Sequence, residues 1–177
     1  MEFWLEVGSK SELLIGLALL ENQKSLLICN GYKDTKYIEI ATLARKLGKN
    51  PIIVVEQRDE VKRIIQAVRD LNATPLIGIR AKLSSKSSGR WRQSIGDNSK
   101  FGLSIPEIMS TIKELKAANL IDDMKLLHFH IGSQISDIAI IKDALQEASQ
   151  IYVELCKLGA PMKYIDEIGR ASCRERV

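Results

Sequence analysis

The sequence predicts an α/β protein that forms part of a (β/α)8 barrel of the TIM type. Short apolar stretches alternate with amphipathic ones along the chain, as in parallel sheets with crossover helices. A doubly wound sheet would usually have a Gly-rich phosphate loop after its first strand, and this sequence has none there. A complete barrel needs eight units and about 250 residues. Six predicted strands in 177 residues therefore indicate an incomplete barrel.

The first half of the chain contains four predicted strands. Phe3 to Glu6 is the end of the first strand, and a helix follows to about Glu21, with Ser9 and Glu12 as its capping box. Further strands are expected at 26–29, 51–56 and 75–80. A polar turn at 30–34 leads into a helix that Gly48 ends, and an amphipathic helix starts at Asp59.

The second half begins with a long segment, residues 81–103, that is rich in Ser, Gly, Lys and Arg. Loops of this length are uncommon in compact domains and are usually functional or disordered. A helix with a Ser104–Glu107 capping box follows it. We then expect a strand at 124–130, a helix at 137–158 and a last strand at 162–166.

Composition limits the classes of function. The net charge of +4 is too small and too dispersed to indicate nucleic-acid binding. Cys29, Cys156 and Cys173 lack the spacing of a disulfide framework or a zinc site, and we expect Cys29 and Cys156 to be buried thiols. The apolar run 13–20 is too short to span a bilayer, and no secretory signal opens the chain. We expect a cytoplasmic protein without nucleic-acid or membrane partners.

His130 is the first candidate site residue. It ends a predicted strand and is followed by Gly132 and Ser133, and side chains at the carboxyl ends of barrel strands face the functional mouth. A packed, hydrogen-bonded histidine is the alternative. His128 lies on the same side of the strand, and an H-x-H pair is also found in metal-dependent hydrolases. Those enzymes need further ligands, and the chain has only two His, so we predict no metal site.

Two further charged residues lie where predicted strands end. Arg80 closes the fourth strand and Glu6 the first, so that both would lie at the same rim as His130. By itself, Arg80 is most simply explained as a rim charge paired with an acid. Glu6 alone does not indicate a function.

Five stretches, residues 5–13, 28–34, 89–91, 99–103 and 128–134, together resemble one family. Over residues 3–166 the chain is similar to the biosynthetic arginine decarboxylases, which are pyridoxal-phosphate enzymes with an alanine-racemase-like barrel. The most specific motifs are Cys-Asn-Gly-Tyr-Lys-Asp at 29–34 and Leu-His-Phe-His-x-Gly-Ser-Gln at 127–134. The Phe-His-x-Gly-Ser core alone would also fit ornithine and diaminopimelate decarboxylases.

The resemblance implies roles for individual residues. His130 corresponds to the catalytic-site His that stacks on the pyridine ring of pyridoxal phosphate. Ser133 corresponds to a hydroxyl that reaches the cofactor phosphate, and Gly132 lets the backbone come close. Arg80 resembles an Arg near the cofactor and the stacking His. Glu6 resembles an acidic residue near the cofactor.

The resemblance also implies what lies outside the chain. The family's covalent Lys precedes the position of Glu6, and its Gly-rich phosphate loop would follow Asp166. The family's later residues include some donated by a partner subunit, so we expect a homo-oligomeric parent with shared active sites. The resemblance is also compatible with Mg²⁺ as a second cofactor of full-length members.

The family's activity gives the functional hypothesis. We expect the parent to convert L-arginine to agmatine and CO2 in polyamine biosynthesis, with pyridoxal phosphate as electron sink, and this chain alone to be inactive. The alternatives are a decarboxylase of another basic amino acid, or a non-catalytic barrel that binds a phosphate ligand or a protein partner.

The chain divides into two predicted parts. Residues 1–166 should form the incomplete barrel domain. Residues 167–177 have no apolar period, depart abruptly from the family pattern and match the translation of a common sequencing adapter. We expect them to be a non-native tail.

Overall fold

Six parallel strands form one sheet, in the order of the sequence. The computed structural model describes residues 4–20, 22, 24–83, 102–135 and 138–170, without the side chains of 133–135, 169 and 170. The strands are β1 (Trp4–Val7), β2 (Leu26–Cys29), β3 (Asn50–Val55), β4 (Leu76–Arg80), β5 (Met124–Ile135) and β6 (Tyr164–Arg170). Each strand pairs in parallel with the next, which confirms the predicted topology.

Helices connect these strands. They are α1 (Lys10–Leu19), α2 (Thr35–Ala44), α3 (Arg58–Leu71), α4 (Ile105–Ala117) and α5 (Ile138–Lys157). The predicted capping box of Ser104 and Glu107 is present at the start of α4. At α1, the Ser9 hydroxyl accepts from the Glu12 N–H, but the Glu12 carboxylate accepts from Gly8 rather than from the cap residue.

The sheet is curled, so that its two edge strands meet across the concave face. The rings of Trp4 in β1 and Tyr164 in β6 pack edge to face, with centroids 5.4 Å apart. An inner apolar cluster lines this face, formed by Leu26, Ile28, Ile52, Val54 and Leu126. A larger cluster fills the space between the outer face and the helices. The curl and the two cores are those of a partial barrel, as predicted.

Strand alternation places polar side chains at the rim of the concave face. Side chains two residues apart in a strand point to the same side. Asn30, Glu56, His128 and Asp166 each lie two residues beyond Ile28, Val54, Leu126 and Tyr164, which all belong to the inner cluster or pack against it. The inner face is therefore apolar at depth and polar where the strands end.

Two strands extend further than the sequence predicts. β5 continues past His130 to Ile135, with an irregular register between these two residues. β6 continues past Asp166 to Arg170. Pairing between the two strands extends both of them: His130 has a partner in Ile168 and Ile135 in Arg170. The foreign origin of residues 167–177 remains a prediction, and residues 171–177 lie outside the described part of the chain.

The long segment after β4 is described only at its ends. Residues 84–101 lie outside the described residues, and Ala81 and Leu103 form an isolated parallel bridge. The N–H of Leu103 donates to the Arg80 carbonyl oxygen over 2.8 Å. Both ends of the segment are thus fixed beside Arg80.

The two cysteines in the described part of the chain differ in their exposure. Cys29 is buried as expected, but Cys156 is exposed, because the buried face of α5 runs through Ala144, Ala148, Ile151 and Leu155 and leaves the next residue outside. Within the described residues, no helix combines the length and apolar character needed to cross a membrane.

Candidate active site

The structure brings Glu6, Arg80 and His130 to one rim of the curled sheet. Arg80 ends β4, and its backbone is in register with His128 of β5. The Arg80 charge lowers the pKa of both Glu6 and His130, so the guanidinium is within electrostatic reach of both. Three residues that the sequence places separately at strand ends therefore share one environment.

His130 is held as a neutral ring in a fixed orientation. Its Nδ1 accepts a hydrogen bond of 3.1 Å from the Gly132 N–H, so the proton of the neutral imidazole lies on Nε2. Desolvation lowers the pKa of His130, and the charges of Arg80 and His128 lower it further. The neutral form is favoured because both partial burial and a neighbouring cation oppose protonation.

Glu6 lies between a donor and a second carboxyl group. Its Oε1 accepts a hydrogen bond of 2.8 Å from the Asn30 side-chain amide. The pKa of Glu6 is raised to about 7, because desolvation and the Asp166 carboxyl, which raise it, outweigh Asn30 and Arg80, which lower it. Glu6 can therefore hold or release a proton near neutral pH.

His128 and Asp166 form a second pair at the same rim. His128 is buried, and its Nδ1 lies 2.8 Å from Asp166 Oδ2. Glu6, His128 and Asp166 each place one potential ligand atom within 4.8 Å of the others, which is close enough for a cation. The same groups are hydrogen bonded to one another, so we interpret them as a hydrogen-bonded cluster, and the prediction of no metal on this chain stays a prediction.

Arg80 has an acidic partner, as the simplest interpretation of a rim charge requires. Its Nη1 donates to Glu56 Oε1 over 3.1 Å, and the Glu56 side chain is only 1% exposed. The same Oε1 accepts the Gly31 N–H at 3.1 Å. Glu56 Oε2 is buried and has no partner among the described residues.

The segment after His130 is partly described. Gly132 has a φ of 101°, a conformation that side chains disfavour, so the glycine suits a close approach of backbone to a ligand. The side chain of Ser133 lies outside the described residues. The implied role of Ser133 at a phosphate group stays a prediction.

Sequence reasoning considered His128 only as half of an H-x-H pair, and it missed three other polar residues of this rim: Asn30, Glu56 and Asp166. A signal for these three was present, because each lies at or just beyond the end of a predicted strand, as Arg80 does. Their pairing with Glu6, Arg80 and His128 joins residues that are 24 or 38 positions apart. Such partners are set by the curl of the sheet rather than by local sequence.

Comparison with known proteins shows the family of this chain. The family model described as "Pyridoxal-dependent decarboxylase, pyridoxal binding domain" matches residues 3–169. The biosynthetic arginine decarboxylase of Prochlorococcus marinus strain MIT 9312 is 92% identical over 164 residues, which are 93% of this chain and 25% of that protein. The chain thus spans about a quarter of the length of such relatives.

Solved structures show the same fold. The biosynthetic arginine decarboxylase of Campylobacter jejuni is 36% identical, with a TM-score of 0.79 over 91% of this chain and 25% of that one. Diaminopimelate decarboxylase of Helicobacter pylori, complexed with L-lysine, is 25% identical, with a TM-score of 0.76 over 96% and 43% of the two chains. The chain belongs to the family of pyridoxal-dependent decarboxylases, and residues 3–169 match its pyridoxal-binding domain.

Proposed function

We propose that the full-length protein carrying this chain uses pyridoxal phosphate to convert L-arginine to agmatine and CO2 in polyamine biosynthesis. The observation that carries this proposal is the shared rim of Glu6, Arg80 and His130 in a chain of the pyridoxal-dependent decarboxylase family. The 92% identity to a protein named biosynthetic arginine decarboxylase favours arginine as the substrate.

The chemistry of the rim fits this cofactor. His130 offers a neutral aromatic ring, Arg80 offers a cation for an anionic group, and Gly132 offers backbone without a side chain. His128 Nε2 and Glu56 Oε2 are buried polar atoms that lack partners within the described residues, as expected where a polar ligand completes a site. When bound, pyridoxal phosphate supplies an electron sink for the electron pair left by the departing carboxyl group.

The residues of this chain would bind the cofactor and orient it. The hydrogen bond from Gly132 fixes the plane of the His130 ring, so the ring can support a flat partner by stacking. Arg80 places a positive charge that acts on both His130 and Glu6. Glu6, whose pKa is about 7, can hold a proton at its carboxyl group at the operating pH.

Substitution of His130 in the full-length enzyme tests the stacking role. Stacking is worth roughly 0.5–1.5 kcal/mol beyond area burial, so His130→Ala should weaken cofactor binding modestly and lower the rate more strongly, because misorientation is costly. His130→Phe retains a ring and should keep more cofactor affinity than His130→Ala. Titration of cofactor absorbance and measurement of kcat check this. Equal affinities of the two variants would contradict stacking.

The same enzyme decides between this function and its alternatives. Release of CO2 should be measured with L-arginine, L-ornithine, L-lysine and diaminopimelate as substrates. A higher kcat/KM for another amino acid than for arginine would favour the second candidate, which the likeness to a diaminopimelate decarboxylase supports. Cofactor binding without turnover of any of them would indicate a non-catalytic relative.

The family relationship supports three further parts of the proposal. We infer that the full-length enzyme is a cytoplasmic homo-oligomer whose subunits share active sites, and that it uses Mg²⁺. Light scattering gives the oligomeric state. Activity after treatment with a chelator, with and without added Mg²⁺, tests the metal requirement.

A further inference from the structure

The turn between β2 and α2 is built around a buried ion pair. Lys33 Nζ lies 3.1 Å from Glu60 Oε1, and both side chains are buried, at 0% and 1% exposed. Lys33 Nζ also donates to the Gly31 carbonyl oxygen over 2.6 Å. Because a buried charge is costly without a partner, this pair holds the turn against the start of α3.

Glu60 and Arg63 complete the attachment of this turn to α3. The second carboxylate oxygen of Glu60 accepts the Glu56 N–H at 2.8 Å and the Gln57 N–H. Arg63 donates to the Lys33 carbonyl oxygen over 2.8 Å. The buried Lys33–Glu60 pair therefore fixes two backbone segments: Lys33 holds Gly31, and Glu60 holds Glu56.

The Glu56 carboxylate connects this network to the rim. Its Oε1 accepts from the Gly31 N–H and from Arg80 Nη1, each over 3.1 Å. The Glu56 side chain is 1% exposed and that of Arg80 is 20% exposed. A buried carboxylate with a rigid backbone restricts a longer, more exposed guanidinium to one place.

That place is at the rim that Arg80 shares with the two other candidate residues. The Arg80 charge acts on both Glu6 and His130. A displaced guanidinium would change the environment of both at once, and displacements of about 1 Å at a reacting centre can cost roughly 100-fold in rate.

We propose that Glu56 is a positioning residue for the reaction: its buried carboxylate, anchored through Gly31 and the Lys33–Glu60 pair, holds the Arg80 guanidinium at the rim that it shares with Glu6 and His130. The inference rests on the proposed function. It assigns a role to the Cys29–Asp34 motif, whose turn supplies the Gly31 N–H and the Lys33 ammonium.

A double-mutant cycle in the full-length enzyme tests this role. Glu56→Gln removes the charge and keeps the shape, and it should lower kcat/KM for arginine by about tenfold or more. Glu39→Gln is the matched control, because it removes a carboxylate from a surface pair with Lys36, and it should change kcat/KM by less than about twofold. Added to Arg80→Gln, Glu56→Gln should cost less than about twofold further, since no guanidinium is left to position.

Each outcome has a defined meaning. Losses that multiply fully in the double mutant, or a Glu56→Gln enzyme equal to wild type, would overturn the positioning role while leaving the proposed function intact. A wild-type enzyme that neither binds pyridoxal phosphate nor decarboxylates arginine would overturn both. If Glu56→Gln does not fold, Glu56→Asp, which keeps the charge and shortens its reach, takes its place in the cycle with the same expected result.

Discussion

At the scale of single residues, Gly31 shows why the turn after β2 requires a glycine. Gly31 has a φ of 74°, and a Cβ placed on it would lie 2.7 Å from the Gly8 carbonyl oxygen. Gly159 also has a positive φ, of 91°, but a Cβ there would meet nothing within 4 Å. Comparison of the two glycines therefore separates the cost of a positive φ from the cost of a close contact between two backbone segments.

Alanine substitution of these glycines should have unequal effects on stability. Gly159→Ala should lower the free energy of unfolding by about 1–3 kcal/mol, the usual cost of a left-handed conformation in a residue with a side chain. Gly31→Ala should lower it more, because the Gly8 backbone must also move. Melting temperatures of the two full-length variants check this. Equal decreases would contradict the contact with Gly8.

At the scale of the elements, the rim cluster joins the two edge strands of the sheet. Glu6 belongs to β1 and Asp166 to β6, and the Asp166 carboxyl raises the pKa of Glu6. Asn30, Arg80 and His128 are the other polar or charged groups that face the two carboxyl groups. Protonation at this cluster should therefore affect how tightly the edge strands meet.

The stability of Glu6→Gln relative to wild type should depend on pH. Folding raises the pKa of Glu6 from 4.5 to about 7, so the native state binds the proton more tightly than the unfolded state does. Wild type should then lose stability as the pH rises from 4.5 to 7, and Glu6→Gln should not. The difference in melting temperature, variant minus wild type, should increase across this window.

A carboxylate far from the rim provides the control for that measurement. Glu154 on α5 is 64% exposed and pairs with Lys157, so Glu154→Gln removes one charge at the surface. A Glu6→Gln difference that stays constant between pH 4.5 and 7, or that matches the trend of Glu154→Gln, would refute the raised pKa of Glu6.

The elements were predictable where local signals define them. Apolar β-branched runs and side-chain caps such as Ser104 predicted the alternation of strands and helices. The continuation of β5 beyond His130 was not predictable, because Gly132-Ser133-Gln134 has turn composition, and the strand is recognised by the pairing of His130 and Ile135 with β6 on either side of it. The positions of Glu6, Arg80 and His130 followed from strand ends, whereas the partner of Arg80 did not, since Glu56 meets it only through packing of β3 against β4.

At the scale of the whole molecule, the chain presents apolar surface as well as a polar rim. Leu14, Ile15 and Leu19 on α1 are more than half exposed, at 55%, 58% and 68%. The chain also spans only about a quarter of the length of its curated relatives. We propose that its rim residues bind and orient a cofactor, and the family resemblance implies that the covalent Lys lies before Glu6, outside this chain.

We therefore expect the purified 177-residue chain to release no CO2 from arginine, in contrast to the activity that we propose for its full-length parent. A missing covalent nucleophile removes most of the catalysis that it supports, and neither Lys10 nor Lys33 can replace it. Lys10 pairs with Asp34 at the surface, and Lys33 is buried against Glu60. Labelled CO2 should be measured with pyridoxal phosphate alone as the background and with the full-length enzyme as the positive control. Release by the chain above that background would show that the residues described here suffice for turnover.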